Sequence, residues 1–291
     1  LRQVKAGFFP DAAEKTGIVF LRTDVNDADN IIKAKWDNVI DTRLCTCIAN
    51  KEGVRVSTIE HLMSAFATLG VDNAVVEIDG PEVPIMDGSS REFIKAITNV
   101  GLKRQNFHRK AIRIKKTVCV TEGGVEACLA PDAEQKFSFE IEFDSKAIGI
   151  QEHSYNVGTD SYDSEIAPAR TFGMLQEVEY LRSLGLARGG SLDNAIVVDN
   201  DKILNPDGLR FGNEFVRHKI LDAIGDLYMC GMQIIGHYHG YKSSHAMNNK
   251  LLHQLFANPE SFEIIDYTPF SRAGSDNRES AREYAEVLAV A

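Results

Sequence analysis

The sequence predicts an α+β protein built by two-domain internal duplication, each domain a layered helix and sheet unit. Three observations predict it. In both halves, short runs of alternating or continuous apolar residues precede a helical run that carries a histidine, over 57–69 in one and 215–226 in the other. A further strand pattern follows each of these helices, at 75–78 and at 233–238. A polar, basic stretch from Lys103 to Lys110 separates the halves and places the domains at 1–106 and 107–291.

The 291 residues, 44% hydrophobic and 25% charged, suffice for two cores and for burying roughly 75% of the unfolded surface. A net charge of −10 and a pI near 5.3 argue against nucleic acid or an anionic membrane as a bulk electrostatic partner and favour a small ligand. No apolar run approaches the roughly eighteen residues of a membrane span, and the start lacks the apolar core of a signal peptide. The expectation is a cytoplasmic protein, not an integral membrane one. Five cysteines, with Cys45 and Cys47 alternating on a strand and Cys119, Cys128 and Cys230 dispersed, fit reduced thiols. A metal clip of Cys45 and Cys47 competes with simple packing.

The chain opens at Leu1 without Met and soon meets a turn at Phe9-Pro10-Asp11. Strands are expected at 17–21, 36–40, 44–48 and 54–56. Ser57-Thr58-Ile59-Glu60 then has the form of a capping box, and the helical period of His61, Leu62, Ala65, Phe66 and Leu69 ends at Gly70. Pro81 to Ser90 reads as loop and 91–100 as a second helix. In the second half, strands are expected at 111–114, 117–120 and 137–143, a helical run at 175–184 and a strand at 195–198. A charged terminal helix could form over 279–288.

The segment 215–226 carries His218, Asp222 and Asp226 four apart, each step turning only about 40° around a helix axis. Val216, Ile220, Ala223, Ile224 and Leu227 occupy the opposite arc, so the helix buries its back and presents one narrow polar stripe. A solvated stripe is usually Lys and Glu; His and Asp are the side chains that coordinate zinc. Should His61 join His218 and Asp222, two nitrogens and one oxygen make the complement of a catalytic zinc with an open fourth position. Glu60 would then accept a proton from water, or serve only as the third residue of the capping box. No H-E-x-x-H motif is present, and the separation of His61 from His218 is not a motif. His237 and His239 share one strand face, where they could bind a metal or simply meet solvent; His245 lies in a loop, and His108, His153 and His253 read as solvated.

Six ordered stretches carry a resemblance: Ser57-Thr-Ile-Glu-His61, Pro84-Ile-Met-Asp-Gly-Ser89, Ala169-Arg-Thr-Phe-Gly173, Gly189-Gly-Ser-Leu-Asp193, 215–226 and Lys242-Ser-Ser-His245. Together they resemble the UDP-3-O-acyl-N-acetylglucosamine deacetylases, the zinc amidases of lipid A synthesis in Gram-negative bacteria. The resemblance runs from about Thr16 to about Leu255. It implies that His61, His218 and Asp222 bind one Zn2+, that Glu60 is the base, and that His245, oriented by Asp226, is the acid that protonates the leaving amine. Lys219 and Thr171 resemble the family's groups facing the carbonyl and its oxyanion. The family fold implies an active site between two α+β domains, and an insert at about 172–197 forming an acyl-chain passage. Phe172, Val178, Leu181, Ser191, Leu192, Ala195 and Val197 map to that insert.

The family's first strand and its Gly-Leu-His turn have no counterpart before Leu1, so the first domain is expected to lack its N-terminal strand. Ser244 stands where the family often has Gly. The function expected is removal of acetate from acylated UDP-N-acetylglucosamine by a monomer. Two rivals stay open: a non-catalytic nucleotide-sugar binding module, and a zinc amidase for another acylated substrate.

Overall fold

The computed structural model describes residues 4–9, 16–105, 107–183, 189–267 and 286–289. Runs rich in Val, Ile and Phe set the strands of the first half: β1 (Val4–Phe9), β2 (Ile18–Arg22), β3 (Ile31–Lys33), β4 (Val39–Asp41), β5 (Cys47–Ala49) and β6 (Arg55–Val56). Helix α1 (Glu60–Leu69) follows, then β7 (Ala74–Ile78) and α2 (Arg91–Val100). The second half begins with four strands, β8 (Arg109–Ile114), β9 (Val118–Glu122), β10 (Val125–Ala130) and β11 (Gln135–Glu142). After β12 (Ile150–Asn156) come the short α3 (Tyr162–Glu165), β13 (Phe172–Met174), α4 (Leu175–Ser183), β14 (Ile196–Asp199) and β15 (Lys202–Ile203). The chain then forms α5 (Glu214–Tyr228), β16 (Gln233–Tyr241), α6 (His245–Ala257), β17 (Phe262–Tyr267) and β18 (Glu286–Ala289). The fold class is α+β, as the sequence predicts.

One sheet has the order β18-β1-β7-β2-β3, and β4, β5 and β6 form a small sheet beside it. β7 alternates buried Ala74, Val76 and Ile78 with half-buried residues, the pattern of a strand with one face on a core. In the second half, β16 is central. It pairs in parallel with β11 along one edge; on the other it pairs first with β8 and then, past Gly236, with β10. The strands β13, β14 and β15 make a three-stranded sheet next to α4, so the expected insert is a small α/β unit. One continuous apolar core holds Phe20, Leu62, Phe66, Phe93, Phe139, Phe215 and Leu251, and it runs through both halves across the contact of α1 with α5.

Several expectations change. Residues 36–38 form a 3-10 turn, and only Val39–Asp41 is strand. The strand expected over 44–48 begins at Cys47, because Thr46 spends its polar groups on helices instead of a ladder. The capping box does not form. The Ser57 amide donates to the Pro81 carbonyl at 2.9 Å and Thr58 turns left-handed at φ 59°, so Ser57 is carried away from the helix start. The loop expected around His245 is the first turn of α6, capped by the Ser244 hydroxyl, which accepts from the Met247 amide. Of the helix expected over 279–288, residues 279–285 lie outside the described residues and Glu286–Ala289 is a strand paired antiparallel with β1.

The thiols also differ. Cys119 and Cys128 form a disulfide, while Cys45, Cys47 and Cys230 are free. The two face each other in the antiparallel register of β9 and β10, a pairing that spacing along the chain does not reveal. A thiol assay on the denatured, unreduced protein should therefore count three thiols; five would place this pair in the reduced form.

Candidate active site

α1 and α5 cross with their backbones nearly touching. A Cβ at Gly225 would stand 2.0 Å from the Glu60 carbonyl oxygen and 3.0 Å from the Ser64 nitrogen, so only glycine permits this approach. Beyond the crossing, Gln233 Nε2 donates to the Ala67 carbonyl at 2.6 Å and the Tyr228 hydroxyl to that of Val71 at 2.9 Å. The helices are thereby locked along their length. Glu60 and His61, the first two residues of α1, are held against the α5 face that carries His218, Asp222 and Asp226, and all five are buried.

His61, His218 and Asp222 offer ligand atoms within 4.8 Å of one another, the only group of three or more His, Cys, Asp or Glu so placed among the described residues. Their disposition fits a cation. The His218 Nδ1 proton is donated to the Ala169 carbonyl at 3.0 Å, which leaves a lone pair on Nε2, 3.3 Å from Asp222 Oδ1. His61 Nε2 approaches the same oxygen at 3.6 Å. That oxygen is buried without a hydrogen bond. The His218 Nε2 lone pair and the Asp222 carboxylate, facing one another in a dry interior, repel unless a positive charge sits between them.

Electrostatics keep the three in their ligand forms. Burial, and then the neighbouring His218, depress the His61 pKa to about 3. Burial likewise lowers that of His218, with Asp222 opposing. For Asp222, burial works against the charge, but its cationic surroundings, with Lys219 in direct contact, outweigh it and hold the carboxyl well below its usual range. Two neutral imidazoles and one carboxylate are the forms that coordinate a metal.

Further titratable groups flank this triad. Glu60 accepts from the Thr46 amide at 3.0 Å through Oε2, and burial raises its pKa to about 7, against the pull of His245. His245 donates through Nδ1 to Asp226 Oδ2 at 2.8 Å, leaving Nε2 free. Burial disfavours the imidazolium, yet the Asp226 charge and hydrogen bond outweigh it and raise the His245 pKa to about 9. The set contains a carboxylic group that titrates near neutrality and an imidazole that titrates above it. Lys219 Nζ donates to Asp222 Oδ2 at 2.7 Å; burial opposes its charge and Asp222 more than restores it, so its pKa is raised.

A family model described as UDP-3-O-acyl N-acetylglycosamine deacetylase matches residues 2–257. The chain belongs to that family. It is 48% identical over 258 residues to a Histophilus somni (strain 129Pt) protein named UDP-3-O-acyl-N-acetylglucosamine deacetylase, covering 88% of this chain and 84% of that one. A Haemophilus influenzae (strain 86-028NP) protein of the same name is 49% identical over the same span. One from Phenylobacterium zucineum (strain HLK1) is 49% identical over 253 residues, covering 87% of this chain and 86% of its own.

Other residues singled out in this deacetylase-family chain lie around the insert. Thr171 is half-buried, its amide donating to the Gly88 carbonyl at 2.8 Å. Phe172 packs edge-on against Phe215, with ring centroids 4.9 Å apart, and lies 6.3 Å from the His218 ring. Val178 on α4 closes over Gly173. Ser191 and Leu192 are exposed, Ala195 is half-buried and Val197 is buried; the Leu181 side chain lies outside the described part. His237 and His239 stand on β16, where His237 Nε2 bonds the Ser138 hydroxyl at 2.8 Å, away from the triad's helices.

Sequence reading missed several supports. Asn205 accepts from the Val197 amide at 2.9 Å and donates to the carbonyls of Leu192 and Ala195 at 2.8 Å, clamping the insert. Glu214 joins Arg170, at 2.9 Å, to Arg210, whose guanidinium reaches Asp87 at 2.9 Å. The 84–89 loop is thus tied to the start of α5. Asn248 and Thr46 both bond Asp226. Nothing in their spacing along the chain marks these residues for such roles.

The crossing yields a mutational expectation. In an ordinary helix interior, Gly to Ala adds about 0.5–1 kcal/mol of stability. Gly225→Ala should instead lower the unfolding free energy by about 1–3 kcal/mol through overpacking, read from the denaturant midpoint; an unchanged or raised midpoint would mean that the helices are not in backbone contact.

Proposed function

We propose that this protein is a zinc-dependent deacetylase that hydrolyses the N-acetyl amide of UDP-3-O-acyl-N-acetylglucosamine and releases acetate, a step of lipid A biosynthesis. One observation carries the reading: the buried His61, His218 and Asp222 triad has a carboxylate on one side and an Asp-oriented imidazole on the other. The names of the relatives supply the substrate. Zn2+ held by the triad would supply Lewis acidity and water made acidic enough to attack near pH 7.

The chain's own residues do the rest. Glu60 removes a proton from the attacking water, and the carbonyl oxygen becomes an oxyanion facing Lys219 and Thr171. Lys219 spends one of its three donors on Asp222 and has two for this purpose. His245 Nε2 delivers a proton to the amide nitrogen as the C–N bond breaks, because an amine leaves poorly unless protonated. Asp226 orients that ring and supports its charge. The insert residues Phe172, Val178, Leu181, Ser191, Leu192, Ala195 and Val197 line the way for the acyl chain in this reading. The halves 1–106 and 107–291 are read as two copies of one α+β unit that meet at the site, in a cytoplasmic monomer. Among the described residues no helix is long and apolar enough to cross a membrane.

The deciding experiment is acetate release from the acylated UDP-sugar. Chelator should abolish it and added zinc restore it, while Glu60→Gln keeps the metal and loses about 10²–10⁴ in turnover. Acetate-free binding of the substrate by the zinc-loaded wild type would refute the deacetylase reading.

The pH profile follows from the two groups. A base works deprotonated, so turnover should rise as pH climbs through the Glu60 pKa, about 7 in the chain alone and lower beside a bound cation. An acid works protonated, so turnover should fall as His245 loses its proton near about 9. A profile without the alkaline limb would remove His245 from that role.

A further inference from the structure

Thr46 is 2% exposed and uses every polar group it has within the protein. Its amide donates to Glu60 Oε2 at 3.0 Å, its hydroxyl donates to Asp226 Oδ1 at 2.6 Å, and its carbonyl accepts from the Ile59 amide at 3.5 Å. No local regular structure demands this. The residue precedes β5, and its position ties the start of α1 to the far end of the α5 stripe.

The other Asp226 oxygen accepts from His245 Nδ1 and from Asn248 Nδ2, both at 2.8 Å. Asn248 is itself fixed through Oδ1 by the hydroxyls of Tyr238 at 2.6 Å and Ser243 at 3.1 Å. A carboxylate with donors on both oxygens has its plane set, and the plane of Asp226 sets that of the His245 ring. One residue therefore touches the carboxylate of the proposed base and the carboxylate that steers the proposed acid.

We infer that Thr46 is the positioning residue that joins the two proton-handling groups of the site, holding Glu60 and the Asp226–His245 pair in fixed relation so that one amide can receive attack and proton within the same cleft. The inference rests on the deacetylase reading for its kinetic consequence, and on the hydrogen bonds alone for its structural one. Preorganisation of this kind acts on turnover more than on substrate binding, because the aligned geometry matters where the proton moves.

The test compares Thr46→Val, which removes the hydroxyl but keeps the amide and the bulk, with Thr46→Ser, which keeps both polar groups. Thr46→Val should lower kcat by about ten- to a hundredfold with KM and bound zinc unchanged, and Thr46→Ser should stay within about threefold of wild type. On a His245→Ala background, Thr46→Val should cost little more, because groups acting as a unit are not additive. Independently of turnover, the His245 ring proton shared with Asp226 should exchange with water about tenfold faster in Thr46→Val than in wild type or Thr46→Ser, by proton NMR of the zinc-loaded protein. Unchanged kcat and unchanged exchange in Thr46→Val would overturn the inference. A kcat loss that Ser does not rescue, or that adds in full to His245→Ala, would reduce Thr46 to a packing residue. Failure of the deacetylase reading is seen separately, as wild-type protein that releases no acetate, and the exchange measurement then decides on Thr46 by itself.

Discussion

The backbone contact of α1 with α5 at Gly225 is the constraint on which the other features depend. A side chain there would collide with the Glu60 carbonyl, and separating the helices by the width of a methyl group would pull His61 away from Asp222. Ligand geometry tolerates only a few tenths of an ångström. The crossing is fixed at its other end by bonds from Gln233 and Tyr228 to α1 and its following turn. Position along two rigid helices, and not loop conformation, thus places the triad, the carboxylate of Glu60 and the Asp226 carboxylate within one buried volume.

Burying so much charge demands compensation, and the molecule supplies it by neighbours. Lys219 faces Asp222, His245 faces Asp226, and the Thr46 amide faces Glu60. Asp222 Oδ1 and His61 Nδ1 are buried without a hydrogen bond, and Asp222 Oδ1 looks towards two imidazole nitrogens, so the triad fits a ligand set and is incomplete as a piece of core. The same logic in reverse explains Arg170 and Glu214, buried at 7% and 0% side-chain exposure. They pair with one another and with backbone groups, which suits a structural tie.

The insert is tied to the site from the first half as well as the second. Gly88, at φ +79°, would place a Cβ 2.0 Å from the Asn194 carbonyl oxygen, so the 84–89 loop presses directly on the segment leading into β14. Thr171 bonds that same loop, and two residues before it the Ala169 carbonyl fixes the His218 tautomer. A strand start, a loop and a candidate ligand are coupled through a few backbone bonds, which brings the proposed oxyanion side of the site and the proposed acyl passage under common control.

Local chemistry in the sequence was enough to determine the α+β class, the amphipathic character of α5, and the stripe of His218, Asp222 and Asp226, because a helical period fixes which side chains share a face. Neither could the sequence decide what faces that stripe nor could it place the partners of Glu60. His61 joins the triad through a crossing between helices distant in the chain, and Gly225 shows its purpose only when another backbone lies against it. The capping box does not form because the Ser57 amide is bonded to the Pro81 carbonyl, a contact no local pattern encodes. Cys119 meets Cys128 through strand register, and Thr46 meets Asp226 across 180 positions. Periodicity is a property of neighbours along the chain; ligand sets and proton relays are properties of neighbours in space, and only the packed helices and sheets decide those.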